Sequence, residues 1–286
     1  METQLTLDQF AGAPAQETID KYIADARLNM GANMTAEVFK FCHSTIDLTT
    51  LSCEDSEESV QAFVRGAVKF CNERKDIPSV ASICVYPPFV ETVGVEIDGM
   101  PMKITAVSAG FPASQTFLEV KALETAMAVE SGADEIDIVI NVGKMLKGHY
   151  EEVMSEIELI EEELDDDTVL KVIIESGALK TPQLIYDASM LAMMAGTNFV
   201  KTSTGKIDVA ATPESVTVIA LAIKEYFEKS GERIGIKIAG GVRTAEDSAL
   251  YYTLVRSILG DEWLTPELFR IGASGLAGAL VAAIDQ

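Results

Sequence analysis

Eight short apolar runs, each followed by a segment of helical periodicity, constrain this 286-residue chain more than any other feature. They cover residues 45–51, 80–86, 104–111, 135–142, 169–176, 199–205, 234–241 and 269–274. Several lack the alternation of a half-exposed sheet and are dense in Val and Ile, as parallel strands covered on both faces are. Between them, segments such as 114–131, 150–163, 182–195 and 213–229 carry apolar positions at helical spacing. Thr212-Pro213-Glu214 is a start signal, a capping hydroxyl followed by a proline whose missing N–H is not needed there. Strands alternating with helices predict an α/β fold, a (β/α)8 TIM barrel, and the stretch from residue 45 onward fits the ~250 residues typical of it. The competing arrangement is a doubly wound open sheet. That fold normally puts a glycine-rich turn after its first strand, where this chain has Ser52-Cys53-Glu54-Asp55. Residues 1–43 read as an N-terminal helical extension, with helices over 15–28 and 35–43, plugging the barrel or packing on its flank. Residues 44–286 read as the barrel catalytic domain.

Hydrophobic residues make up 48% of the chain, enough to build the core of such a domain. Lys and Arg number 22 against 45 Asp and Glu, a net charge of −23. A field of that sign excludes a nucleic-acid-binding surface and attachment to anionic membrane lipid. The acid is concentrated in stretches such as 151–163 and 165–167, which read as solvated helix faces, so an anionic substrate needs a local basic pocket. Two histidines and four cysteines without CxxC spacing offer no zinc pattern, and neither metal nor cofactor is expected. No apolar run approaches the ~20 residues that cross a bilayer. With a polar, acidic N-terminus, the chain is expected to be soluble and cytoplasmic. A homodimer is compatible with the sequence.

In a barrel, reactive groups come from the carboxyl ends of strands, and the candidates there are Asp47, Asp137, Glu175, Lys201, Lys237, Arg243 and Ser274. Lys201 and Lys237 sit in apolar runs, where an ammonium without a partner is costly. A chemical reason is available: beside a second cation, a lysine loses its proton more easily and becomes a nucleophile toward carbonyls. Lys103 and Lys171 enter at the beginnings of their runs, where a solvated lysine is ordinary. Asp137 lies among apolar neighbours on the face opposite Ile136 and Ile138. It suits either an ion pair or proton transfer, and both if its partner is Lys237. Cys84 reads as a buried free thiol. Gly205-Lys206, Gly240-Gly241-Val242-Arg243 and Gly272-Ala273-Ser274 follow the last three runs, and glycine-rich turns beside Lys206 and Arg243 suit a phosphate. Thr204-Gly205-Lys206 is not a P-loop, since Val200 and Ile207 occupy the positions of its first glycine and its Ser/Thr.

Val200-Lys201-Thr202-Ser203-Thr204-Gly205-Lys206, with Ala211-Thr212-Pro213-Glu214-Ser215, closely resembles the Schiff-base segment of the deoxyribose-phosphate aldolase family. The likeness extends through residues 235–247 and includes Ile46-Asp47-Leu48-Thr49-Thr50-Leu51, Ile83-Cys84-Val85-Tyr86-Pro87 and Gly132-Ala133-Asp134-Glu135-Ile136-Asp137. It spans nearly everything after Thr45. The resemblance implies a class I aldolase on a (β/α)8 barrel, a cytoplasmic carbon–carbon lyase of deoxyribonucleotide catabolism and carbohydrate degradation. Such an enzyme reversibly cleaves 2-deoxy-D-ribose 5-phosphate to acetaldehyde and D-glyceraldehyde 3-phosphate. Its partners are small sugar phosphates and aldehydes. Matched position by position, Lys201 forms the imine, Lys237 depresses its pKa, and Asp137 shuttles protons with Lys237 and a water. The matching phosphate contacts are Gly205, Lys206, Gly240, Gly241, Gly272 and Ser274, with Val242 and Arg243 in the same loop. Asp47, Cys84, Thr204 and Glu175 are further active-site candidates.

The chain departs from the family pattern in three places. Ile238 stands where many members have proline, the chain stops at Ile284-Asp285-Gln286 without their tyrosine-ended tail, and its N-terminal helical segment is longer. Two other functions fit the residues: a phosphate-binding barrel lyase or isomerase with Asp137 as base and Lys201 as an electrostatic clamp, or a silent sugar-phosphate-binding barrel. Lys201 separates them, because the aldolase alone needs a covalent imine.

Overall fold

The structure, a computed structural model, describes residues 5–286, so the first four residues of the N-terminal extension lie outside the described residues. Eight parallel strands close into a barrel: β1 (Ile46–Thr49), β2 (Ser82–Val85), β3 (Lys103–Ser108), β4 (Glu135–Val139), β5 (Val169–Ile173), β6 (Phe199–Lys201), β7 (Gly235–Ala239) and β8 (Phe269–Ala273). Each pairs with its neighbours in sequence, and β8 returns to β1 with Asp47 opposite Gly272. The expected (β/α)8 barrel is therefore the observed fold. Every strand is shorter than its apolar run, and most of the missing residues are at the carboxyl end. After Lys201, for instance, the chain leaves the ladder and turns at Gly205 with φ +74°.

Before the barrel come α1 (Gln16–Asn29) and α2 (Ala36–Ser44). Around it run α3 (Glu57–Glu73), α4 (Val90–Glu96), α5 (Leu118–Glu130), α6 (Val142–Leu146), α7 (Tyr150–Glu161) and α8 (Ser176–Leu179). The ring is completed by α9 (Pro182–Met194), α10 (Pro213–Ser230), α11 (Ala245–Leu259) and α12 (Leu276–Ile284). The signal at Thr212 acts as expected. Thr212 Oγ1 accepts from the Ser215 N–H at 3.1 Å, Pro213 opens α10, and Gly231 closes it in the left-handed region at φ +78°. Helix α5 starts later than its periodicity suggests, because Ser114 has φ +55° and belongs to the preceding turn.

The two N-terminal helices lie on the flank: α1 against α10 and α11, α2 against α11 and α12. Phe10, Ile19, Ala26 and Val38 join the same apolar core as the strands. Among the described residues, no helix is long and apolar enough to cross a membrane.

Strand parity sorts the residues. On β4, Ile136 and Ile138 join the apolar layer beneath the helices, whereas Glu135 and Asp137 point into the barrel and pair there with cations. Gly235 illustrates how tightly that interior is filled: a Cβ there would run into the ring of Phe199, itself 2% exposed. Gly235→Ala should therefore destabilise the fold by about 1–3 kcal/mol through overpacking. At ~2–4 °C per kcal/mol for a domain of this size, thermal denaturation should show a lower midpoint, and an unchanged midpoint would mean the ring moves freely.

Candidate active site

Asp137, at the middle of β4, is wholly buried and is the meeting point of three lysines. Its Oδ2 accepts from Lys201 Nζ at 2.6 Å and from Lys237 Nζ at 2.6 Å, and its Oδ1 accepts from Lys171 Nζ at 3.0 Å. Sheet register makes this convergence possible. Lys201 on β6 is paired with Lys237 on β7, and Asp137 with Lys171 on β5. Lys237 reaches a second carboxylate, with Nζ 2.5 Å from Asp47 Oδ2. Lys171 reaches Glu135 Oε2 at 2.7 Å, and Ser82 Oγ donates to Asp47 Oδ1 at 2.8 Å.

Unequal partnership makes the two lysines chemically different. Burial pushes the Lys201 pKa down; Asp137 opposes this, Lys237 reinforces it, and the net result lies below the ordinary lysine value of 10.5. Lys237 is equally buried, but Asp137 and Asp47 together outweigh desolvation and hold its pKa above the ordinary value. One ammonium thus stays charged beside an amine that yields its proton more readily. Burial alone would raise Asp137, yet Lys171, Lys201 and Lys237 hold it well below the usual carboxylate range. Desolvation is the largest cause of the lowering at Lys201, and Lys237 a smaller one in the same direction.

Above this cluster a cavity of ≈ 670 Å³ opens at the carboxyl ends of the strands, and Lys201 is part of its wall. Thr204, Gly205, Lys206, Gly240, Gly241, Val242, Arg243, Gly272 and Ser274 line the same cavity, so the glycine-rich turns after β6, β7 and β8 do meet. Gly240 has φ +79°, and a Cβ there would press against Ala210 and the Gly205 backbone, so the two turns touch where a side chain could not fit. Lys206 Nζ contacts the Leu51 carbonyl across the mouth. Glu175, in the left-handed region at φ +51°, is buried behind the wall; its Oε2 accepts from Thr204 Oγ1 at 2.5 Å and its Oε1 from the Thr204 N–H at 3.2 Å. Burial pushes its pKa up. Cys84 packs with Leu51 and Val107 in a small apolar cluster, and burial pushes its thiol up.

Lys171 is not a solvated strand-start lysine: it is wholly buried and ion-paired, whereas Lys103 is exposed as expected. Position along a strand failed as a guide because residue 171 has inward parity, and a closed barrel buries its interior almost to the strand starts. Asp47, Asp137 and Lys237 lie within their strands, beneath the cavity, and not at the carboxyl ends. Glu135 and Arg270 were missed. Each carried a readable signal, since Glu135 shares the parity of Asp137, and Arg270 is a cation between Phe269 and Ile271. Gly275 and Leu276, at the start of α12, also line the cavity unforeseen. Among the described residues, no group of His, Cys, Asp and Glu could hold a metal ion.

A closed parallel barrel, with a cavity at the carboxyl ends of its strands and a buried ionisable cluster beneath it, is the (β/α)8 architecture in which enzymes carry their active sites at that end. The chain belongs to the DeoC/LacD family of aldolases, carbon–carbon lyases, whose profile it matches over residues 25–277. It is 43% identical over 241 residues to the human deoxyribose-phosphate aldolase, covering 81% of this chain and 76% of that protein. The mouse deoxyribose-phosphate aldolase is 42% identical over the same shares of the two chains. In fold it resembles the deoxyribose phosphate aldolase of Aeropyrum pernix, described as a tetramer. The TM-score is 0.68 at 24% identity, covering 96% of this chain and 99% of that one.

The buried cluster should respond to losing a cation. Lys171→Met leaves Glu135 and Asp137 each short of a partner, which should cost about 3–5 kcal/mol at neutral pH in denaturant unfolding. In the parent chain, the stabilisation from Asp137 is present above its ordinary value of 3.8 and is lost as pH falls below that toward the depressed folded value. Without Lys171, Asp137 keeps Lys201 and Lys237 and Glu135 keeps Arg270, so in acid a proton held on Lys201 can replace the missing ammonium. The gap between variant and parent should thus be narrower at pH ~5 than at pH ~8. A gap that widens in acid would contradict this account.

Proposed function

We propose that this chain is a class I aldolase that reversibly cleaves 2-deoxy-D-ribose 5-phosphate to acetaldehyde and D-glyceraldehyde 3-phosphate through an imine on Lys201. The observation that carries the reading is that Lys201, alone among the lysines on Asp137, opens on the cavity while sharing a carboxylate oxygen with a charged lysine. The neutral Lys201 amine attacks the carbonyl carbon of the open-chain sugar phosphate, and loss of water gives a protonated imine. A base removes the C3 hydroxyl proton, the C2–C3 bond breaks, and its electron pair flows into the imine to leave an enamine of acetaldehyde. Protonation of that enamine and hydrolysis return Lys201. The imine is the electron sink, so the step asks for no metal. Asp137, through Lys237 and a water, handles the protons.

The phosphate would sit among Gly205, Lys206, Gly240, Gly241, Val242, Arg243, Gly272 and Ser274. Gly275 and Leu276 would add backbone N–H groups at the start of α12. Lys206 spans the mouth with a carbonyl as its partner, leaving its charge for an anion. Small sugar phosphates and aldehydes would be the partners, and a cytoplasmic location accords with water-soluble substrates and free cysteines.

Acetaldehyde with borohydride should add one reduced adduct to the peptide containing Lys201, and Lys201→Arg should abolish it with the fold intact, since arginine keeps the charge and forms no such imine. An adduct on Lys237 alone would sink the assignment. Asp137→Asn should retain some trapping while sugar-phosphate cleavage collapses. Lys206→Ala should raise KM for deoxyribose 5-phosphate far more than for deoxyribose, by about 10- to 150-fold if the contact is worth ~1.5–3 kcal/mol. Equal effects on both substrates would mean that Lys206 supports the barrel and not the ligand.

A further inference from the structure

Arg270, second residue of β8, is 4% exposed and has no part in the steps above. Its Nη1 donates to Asp47 Oδ1 at 2.6 Å and to Glu135 Oε2 at 3.1 Å, and its Nη2 to Glu135 Oε1 at 2.8 Å. Its Nε donates to the Pro266 carbonyl, and the guanidinium lies 5.8 Å over the Phe199 ring. This group stays charged at any working pH.

The charges in the cluster do not balance. Three carboxylates, Asp47, Glu135 and Asp137, face four cations, Lys171, Lys201, Lys237 and Arg270. With all of them ionised, this ion-paired cluster carries one excess positive charge in a place that desolvates it, the Glu175 carboxyl lying outside the cluster against Thr204. Lys171 lies 2.7 Å from Glu135, 3.0 Å from Asp137 and 3.8 Å from Asp47. Lys237 lies 2.5 Å from Asp47 and 2.6 Å from Asp137. Among the described residues, Lys201 is paired with Asp137 alone, at 2.6 Å.

We propose that Arg270 is a positioning residue for the reaction: by occupying Asp47 and Glu135 it leaves the barrel interior one cation in excess, and Lys201, with one carboxylate partner and an open cavity, is the group that yields its proton. The inference rests on Lys201 being the imine-forming amine. The other groups that face Lys201 are Asp137 from β4, Lys237 from β7, Cys84 from β2 as a neutral thiol, and Glu175 from the end of β5. Behind them stand Lys171 from β5 and Asp47 from β1. Glu175 makes no ion pair among the described residues; it is bonded to Thr204. None of these groups is altered in the variants below, so the sign of each shift follows from the charge removed.

The test is the pH dependence of acetaldehyde trapping by cyanoborohydride, read as adduct on Lys201 in the parent, Arg270→Gln, Glu135→Gln and the double variant, with a thermal midpoint for each. Arg270→Gln removes the excess cation, so the midpoint of trapping should move up by about one pH unit, roughly tenfold less free amine at a fixed lower pH. Glu135→Gln removes a carboxylate, so its midpoint should move down, and the double variant should return close to the parent. Loss of packing alone would lower the thermal midpoints without moving the two titrations in opposite directions. Should Arg270→Gln not fold, the downward shift in Glu135→Gln carries the test. Folded variants whose midpoints stay at the parent value, or shift the same way, would overturn the role of Arg270. A parent enzyme that traps nothing on Lys201 would instead overturn the aldolase mechanism, and this inference with it.

Discussion

One carboxylate oxygen, Oδ2 of Asp137, accepts from two lysine Nζ groups at 2.6 Å each, and the rest of the site depends on that sharing. Two like charges so close in a dry interior are tolerable only with a strong counter-charge between them. Asp137 supplies it, and Lys171 keeps Asp137 ionised. Asp47 completes the asymmetry by giving Lys237 a second partner that Lys201 lacks. The lysine with fewer partners is also the one at the cavity wall, so the amine that is easiest to deprotonate is the one a substrate can reach.

The barrel explains how such a cluster survives. Closing the sheet places alternate residues of every strand in one enclosed space, and charges from β1, β4, β5, β6, β7 and β8 meet without leaving an unpaired edge. A packed apolar interior would be at least as stable. In the proposed mechanism, the charged one would provide a fixed electrostatic environment for a single amine, set before substrate arrives.

Much of this was legible in the sequence, and what was not has a physical reason. Val- and Ile-rich runs alternating with helices exposed the eight strands, because covering a parallel sheet on both faces leaves that imprint. Lys201, Lys237 and Asp137 stood out as charges inside apolar runs, and the glycine turns after β6, β7 and β8 marked the cavity. The Lys171 reading failed because judging a lysine by its distance from the strand start presumes that strand starts reach water. Arg270 and Glu135 escaped for the same reason, although their inward parity was visible. Strand ends were overrun by a few residues because apolar residues also line the loops above the barrel, as Leu51 does beside Cys84 and Val107.

Neutron diffraction from deuterated crystals across a pH series tests the central asymmetry directly, since it counts the hydrogens on each Nζ. The account predicts that Lys201 is the first of the two to drop to two deuterons as pH rises, while Lys237 keeps three, both directed at an unprotonated Asp137. Three deuterons on Lys201 with two on Lys237, or a deuteron on Asp137 in the resting enzyme, would contradict it.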